Sequence, residues 1–220
     1  LPGIASHLLA ASVMNAPAGL YLSKILLPET ETPLTAGTLP LGAEGQTESS
    51  VIEAAANGAG QGVQLAINVA AMLMAFIALI ALLNAGLGWI GGMVGVASLS
   101  LQTILGTLLR PLAWVMGVPW QDTAYVGGLI GLKTSLNEFL AYAQFAGDLG
   151  AGTALNPRSA VILTYALLGF ANFSSIAIQI GGIGGLAPER RGEIASLGLR
   201  AMVAGNLAAF ISACLAGMLI

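Results

Sequence analysis

A carboxylate, an amide and a hydroxyl stand in stretches of the chain that are otherwise almost free of charge. Asn172 and Ser175 lie within residues 159–188, which contain no charged residue, and Glu138 lies between two apolar segments. A carboxylate accepts hydrogen bonds from two adjacent hydroxyls, and the Asn and Ser side chains both donate and accept. These residue types suit a neutral ligand with several hydroxyls, such as a ribose.

Each of these residues also has a simpler interpretation. A carboxylate at membrane depth costs about 2.5–3.5 kcal/mol on insertion scales, so a Glu138 within the membrane is expected to have a role. In the simpler interpretation, Glu138 is solvated at the interface or pairs with Lys133. Asn172 and Ser175 are three apart and share a helical face. Hydrogen bonds between membrane helices, worth about 0.6 kcal/mol on average, explain them as well as a ligand does. The motif leaves both interpretations open.

Two further features of the sequence could contribute to a ligand site. Phe170, two residues before Asn172, has a ring that stacks on a flat ligand or packs against neighbouring helices. A polar stripe recurs at spacings of three and four, formed by Asn57, Gln61, Gln64 and Asn68. We favour hydrogen bonding between helices for this stripe over a role as part of a translocation wall.

The composition places the chain in a membrane. Of 220 residues, 56% are hydrophobic and 8% are charged, and no charge occurs between Glu53 and Arg110. Soluble domains carry roughly 25% charged residues. The net charge of −3 and the scattered Lys and Arg argue against a nucleic-acid partner. No Ser/His/Asp set, HExxH, CxxC or P-loop motif is found, so we expect no catalytic residue, no metal site and no enzyme.

The hydrophobic pattern predicts an all-α, polytopic membrane protein. An apolar run at 8–27 is interrupted at Asn15–Gly19, and a polar loop follows. Ser50 and Glu53 form a capping pattern before a small, mildly polar helix up to residue 62. From Val63 a long apolar helix follows. An amphipathic segment at 99–109 is predicted to stop at Arg110 and Pro111.

The C-terminal half predicts irregular membrane elements. Residues 112–145 form two apolar arms around a polar tip, each too short to cross, which is typical of a re-entrant hairpin. A helix broken near Gly169 follows, as at transporter sites, and then a last span at 194–220. We therefore divide the chain into residues 1–62, residues 63–111 with a scaffold helix and connector, and residues 112–220.

Six segments resemble the concentrative nucleoside transporter family, in the family's order and over nearly the whole chain. They are residues 11–18 (ASVMNAPA), 28–31 (PETE), 51–59 (VIEAAANGA), 136–142 (LNEFLAY), 169–176 (GFANFSSI) and 181–188 (GGIGGLAP). The resemblance implies a homotrimeric nucleoside–cation symporter of the bacterial inner (plasma) membrane, with re-entrant hairpins and broken helices. It implies that Glu138, Asn172 and Ser175 hold the ribose hydroxyls and that Phe170 packs near the sugar and base. The helix from Val63 becomes the tilted scaffold helix, and residues 1–62 and 112–220 become parts of the transport domain.

The chain departs from the family in one respect. The family's first hairpin carries a Gly-Gln-Thr-Glu motif and part of the cation site, and it precedes the region matched here. The same letters at 45–48 lie in the polar loop, which we interpret as coincidence. We therefore expect a fragment with no cofactor, whose coupling ion, Na⁺ or H⁺, binds mostly outside it. A transporter of another hydroxylated solute, or a structural membrane subunit, are the alternatives.

Overall fold

The computed structural model describes residues 3–30, 32, 50–96 and 99–220, and in these residues the chain is helical without a strand. Its helices are α1 (Ile4–Leu26), α2 (Val51–Met93), α3 (Leu101–Val115), α4 (Thr123–Ser135), α5 (Glu138–Gly150), α6 (Pro157–Leu167), α7 (Phe173–Leu186) and α8 (Arg191–Leu219). Short 3-10 turns at Trp120–Asp122 and Pro188–Arg190 precede α4 and α8. The all-α prediction is confirmed for the described residues. The Gly-Gln-Thr-Glu letters at 45–48 lie outside them.

Helix α2 is longer than a membrane is thick. Its 43 residues span about 65 Å at the α-helical rise, against roughly 30 Å of hydrocarbon. Ser50 begins the helix, because its hydroxyl accepts a hydrogen bond from the Glu53 amide at 3.1 Å. The separate helix expected up to residue 62 is not present, since glycines weaken a helix without interrupting its hydrogen bonds. Among described residues, α2 and Pro188–Leu219 are long and apolar enough to span a membrane.

Two prolines lie inside helices that the sequence predicted to be interrupted there. Helix α1 continues through Pro17, and α3 continues past Pro111 to Val115. The predicted stop at Arg110 and Pro111 is therefore wrong. A proline removes one backbone hydrogen bond, but Ala113 and Met116 lie buried in the core, and their burial favours continuing the helix. The division points after residues 62 and 111 thus fall within α2 and α3.

Helices α3 and α4 approach closely through glycines. A Cβ on Gly131 would lie 2.6 Å from the Gly106 nitrogen, and one on Gly127 would lie 2.6 Å from the Gly106 oxygen. Small residues at this spacing are how membrane helices bring their backbones together. Asn84 of α2 attaches the other end of α3, because its amide oxygen accepts a hydrogen bond from the Leu101 amide at 2.8 Å. The α3–α4 pair is thereby connected to α2.

The core surrounds α6. Eight of its residues are buried: Ser159, Ala160, Ile162, Leu163, Thr164, Tyr165, Ala166 and Leu167. Helices α1, α4, α5 and α8 contact it from different sides. At its N-terminal end, Asp122 accepts hydrogen bonds from the Ser159 hydroxyl at 2.5 Å and from the Asn156 amide at 3.2 Å. Helix α6 is therefore held by neighbours along its whole length.

The predicted site residues lie at two breaks between helices, one between α4 and α5 and one between α6 and α7. Helices α4 and α5, 13 residues each, meet at Leu136 and Asn137. Each arm is about 20 Å long, too short to cross the hydrocarbon core. The expected pair of short helices is present, and we call α4 and α5 the hairpin. Its entry into a membrane from one side stays a prediction. Residues 168–172 separate α6 from α7, and Gly169 has a φ of 112°, which only glycine adopts readily.

Candidate functional site at the break between α6 and α7

Asn172 caps α7 and is held by Ser175. Its side-chain oxygen accepts a hydrogen bond from the backbone N–H of Ser175 at 2.7 Å, and its backbone N–H donates to the Ser175 hydroxyl at 3.1 Å. This reciprocal pair is a capping box, which satisfies two amides that a helix start leaves unpaired. The Asn-x-x-Ser spacing is the sequence signal of this cap, which the predictions above do not include. The capping box fixes the orientation of the Asn172 side chain.

The side-chain nitrogen of Asn172 contacts the hairpin formed by α4 and α5. Its Nδ2 donates to Oε2 of Glu138 at 2.9 Å, although the two residues are 34 positions apart. Glu138 is the first residue of α5, where the positive end of the helix dipole favours a carboxylate. Asn137 caps the same helix by accepting a hydrogen bond from the Leu140 amide at 2.9 Å. Two helix starts therefore present a carboxylate and an amide to each other.

The four predicted site residues differ in their exposure. Asn172 and Ser175 are buried, Glu138 is partly buried, and Phe170 is 49% exposed in the segment between α6 and α7. Oε1 of Glu138 accepts no hydrogen bond from the described residues. Of the four, Glu138 and Phe170 therefore keep accessible surface, while Asn172 and Ser175 are enclosed.

Lys133 does not pair with Glu138 as the simpler interpretation expected. Its ammonium donates to the backbone oxygens of Ala166 at 3.0 Å and Leu168 at 3.4 Å. Asn206 of α8 also donates to a backbone oxygen of this segment, that of Ala171, at 2.9 Å. These donors bind backbone oxygens just before the α7 cap. Lys133 and Asn206 thus belong to the surroundings of the site, and their partners leave no pattern in the sequence.

The polar stripe of α2 lies elsewhere. Gln61, Gln64 and Asn68 line an open groove of about 870 Å³ between α2 and α7, whose lining includes neither Glu138 nor Asn172. Gln64 donates to Asn68 at 3.2 Å within the same helix. In the described part of the chain, the stripe makes none of the interhelical hydrogen bonds that we favoured. No group of three His, Cys, Asp or Glu side chains suited to a metal ion occurs in that part either.

Comparisons with known proteins agree on one group of transporters. A family model described as "Na+ dependent nucleoside transporter C-terminus" matches residues 7–217. The chain is 49% identical to the uncharacterized transporter YutK of Bacillus subtilis, over 97% of the chain and 52% of YutK. It is 44% identical to the nucleoside permease NupC of Helicobacter pylori, over 97% of the chain and 51% of NupC.

A solved structure supports the fold. A doubly substituted CNTnw in an outward-facing state aligns with a TM-score of 0.85 and 45% identity, over 97% of this chain and 50% of that one. The chain therefore spans about half the length of the relatives that it matches.

Proposed function

The chain belongs to the Na⁺-dependent nucleoside transporter family, whose C-terminal region it matches, and from that premise we propose that it serves the transport of nucleosides across a membrane, driven by a sodium or proton gradient. The resemblance to concentrative nucleoside transporters is thereby confirmed. The relatives named above are transporters and a permease, not enzymes. The protein is accordingly an integral membrane protein, and we place it in the bacterial inner membrane.

The contact between Glu138 and Asn172 is the observation that carries this proposal. Adjacent hydroxyls of a ribose are two donors at a fixed distance, which a carboxylate accepts with its two oxygens. Oε1 of Glu138 is available for one of them, and Oε2 already shows that it accepts a donor at 2.9 Å. Asn172 adds an amide donor for a sugar oxygen. A neutral sugar matches this combination better than an ion or an apolar solute.

Phe170 and Ser175 complete the proposed site. The exposed ring of Phe170 provides an apolar surface for the sugar and base. Ser175 acts through the capping box, which holds the Asn172 amide in place. We propose further that α4 and α5 enter the membrane as a re-entrant hairpin and that the transporter works as a homotrimer. The coupling cation, Na⁺ or H⁺, is proposed to bind mostly outside this chain.

Uridine uptake tests the proposal. We would compare wild type, Glu138→Gln and the control Glu189→Gln, which changes an exposed carboxylate after α7. Because hydrogen bonds to a charged group are worth about 1.5–3 kcal/mol, we expect Glu138→Gln to lower uptake efficiency roughly 10- to 100-fold. The control should match wild type. Uptake measured with sodium and with proton gradients identifies the ion.

Two results would contradict the proposal. Well-folded wild type that takes up no uridine under either gradient excludes nucleoside transport, and a hydroxylated solute of another class becomes the leading candidate. Uridine uptake that Glu138→Gln leaves unchanged moves the ribose site away from Glu138.

A further inference from the structure

The end of α6 depends on the hairpin for its hydrogen bonds. The last four carbonyls of a helix have no partner within it. Here the Tyr142 hydroxyl donates to the Thr164 oxygen at 2.6 Å, and the Lys133 ammonium donates to the Ala166 oxygen at 3.0 Å. Lys133 belongs to α4 and Tyr142 to α5. Each arm of the hairpin therefore supplies one donor to the same helix end.

Lys133 is buried completely, which is costly for an ammonium group. It is the largest side chain among those with almost no exposed surface. Burying a charge is tolerated only where other groups compensate for the lost hydration. The compensation here comes from the negative end of the α6 dipole, from the Phe210 ring, whose centroid is 5.8 Å from Nζ, and from the nearby charge of Glu138. The ammonium donates to two backbone oxygens, which an apolar side chain at this position could not do.

The hairpin connects the two sides of the break. Lys133 also donates to the Leu168 oxygen at 3.4 Å, at the first residue after α6. Five positions later, Glu138 accepts the hydrogen bond from Asn172, the last residue before α7. The hairpin tip thus binds the chain where α6 ends and again where α7 begins. The distance between Asn172 and Glu138 depends on both attachments.

We propose that Lys133 and Tyr142 are positioning residues of the ribose site: by capping the C-terminal end of α6 they hold residues 168–172 so that Asn172 faces Glu138. This inference rests on the proposed function for its ligand, but its structural basis is the set of hydrogen bonds above. Neither residue touches the sugar. Their loss displaces the groups that do.

The variants for the test are Tyr142→Phe and Lys133→Met. Tyr142→Phe removes only the hydroxyl and keeps the ring, and Lys133→Met keeps most of the volume and removes the ammonium. The matched control is Tyr125→Phe, because the Tyr125 hydroxyl donates to Asp148 at 2.9 Å, within the same hairpin and not to α6. All three are made in the natural full-length protein.

Kinetics separate positioning from simple structural support. We expect KM for uridine to rise about threefold in Tyr142→Phe and about tenfold in Lys133→Met, in line with one neutral and one charged hydrogen bond. We also expect the preference for uridine over 2′-deoxyuridine to fall in both, since a displaced Asn172–Glu138 pair reads the hydroxyls less well. Tyr125→Phe should keep both values. A lower maximal rate with unchanged KM and unchanged preference would overturn the proposal.

Hydrogen exchange provides a readout that needs no nucleoside. Wild type that takes up no uridine contradicts the proposed function, and the positioning role is then decided by amide exchange in residues 168–172. Faster exchange there in Tyr142→Phe than in Tyr125→Phe supports the role. Equal exchange in the two variants overturns it. Tyr142→Phe also keeps the test decisive where Lys133→Met fails to fold.

Discussion

At the scale of single residues, Asn172 serves two neighbours with one amide group. Its oxygen caps α7 through the Ser175 amide, and its nitrogen donates to Glu138. The sequence suggested a ligand contact or a bond between helices, and the structure shows a bond between helices at the position proposed for the ligand. The two interpretations are therefore compatible for this residue.

Asn172→Asp separates the two tasks of this amide group. Aspartate is as good an N-cap as asparagine, so α7 keeps its cap, but a buried carboxylate beside Glu138 lowers the melting temperature, and uptake is therefore compared per amount of folded protein. The substitution removes the donor and sets two carboxylates 2.9 Å apart, so uridine uptake efficiency should fall more than about tenfold. Ser50→Asp, a cap-preserving change at the exposed start of α2, is the control. Uptake that survives Asn172→Asp would show that this donor is not needed.

The sequence could place Glu138 and Asn172 but not the residues that hold them. A charge or an amide inside an apolar stretch is visible without any structure. Lys133 and Tyr142 bind backbone oxygens 33 and 22 positions away, and a carbonyl has no side chain by which a sequence pattern could reveal it. Such partners become apparent only when the helix ends are known.

At the scale of helices, packing and local backbone chemistry together decide where a helix ends. Pro111 reads as a stop, yet α3 continues because residues beyond it are buried. Gly169 reads as a break, and the chain does leave the helix there. Local chemistry predicts the second case because a positive φ needs glycine. It fails in the first because burial overrides the loss of one hydrogen bond.

Two glycines of α4 allow the α3–α4 contact to be tested. A Cβ on Gly131 would lie 2.6 Å from the Gly106 nitrogen and 2.7 Å from the Gln102 oxygen, whereas a Cβ on Gly128 would meet nothing within 4 Å. We expect Gly131→Ala to destabilise the protein by about 1–3 kcal/mol through overpacking. Gly128→Ala should be neutral or slightly stabilising. Thermal unfolding in lipid nanodiscs compares them, and equal melting temperatures would show that the two helices separate easily.

At the scale of the whole molecule, the hairpin prediction concerns which side of the membrane each end faces. Composition alone indicates the membrane, because 8% charged residues cannot cover a water-exposed surface. The long helix α2, the two short helices of the hairpin and the last span also follow from the sequence, whereas the predicted boundaries at residues 62 and 111 do not. The side from which α4 and α5 enter does not, because the one basic residue of these helices, Lys133, is buried and does not face a membrane surface.

Cysteine labelling determines that side. Cys214 is the only cysteine of the 220-residue sequence, so Cys214→Ser, together with replacement of any cysteine elsewhere in the protein, gives a background for single cysteines at the exposed residues Gln121 and Ala151, which flank the hairpin. A re-entrant hairpin returns to its starting side. We therefore expect a membrane-impermeant maleimide to label both positions from the same side in oriented vesicles. Labelling from opposite sides would show that the segment crosses the membrane.

At the proposed site, a ligand hydroxyl would compete with the Asn172 amide for Oε2 of Glu138. A solute hydroxyl that approaches Oε2 meets an acceptor already bonded, at 2.9 Å, to an amide of the protein itself. A hydroxyl at Oε2 shares that oxygen with the amide and gains less there than at Oε1, which accepts no hydrogen bond from the described residues. Two adjacent hydroxyls gain more, because the second one finds Oε1. At the proposed site we therefore expect a vicinal diol, which engages both oxygens, to bind more tightly than a solute with a single hydroxyl, which engages Oε1 alone.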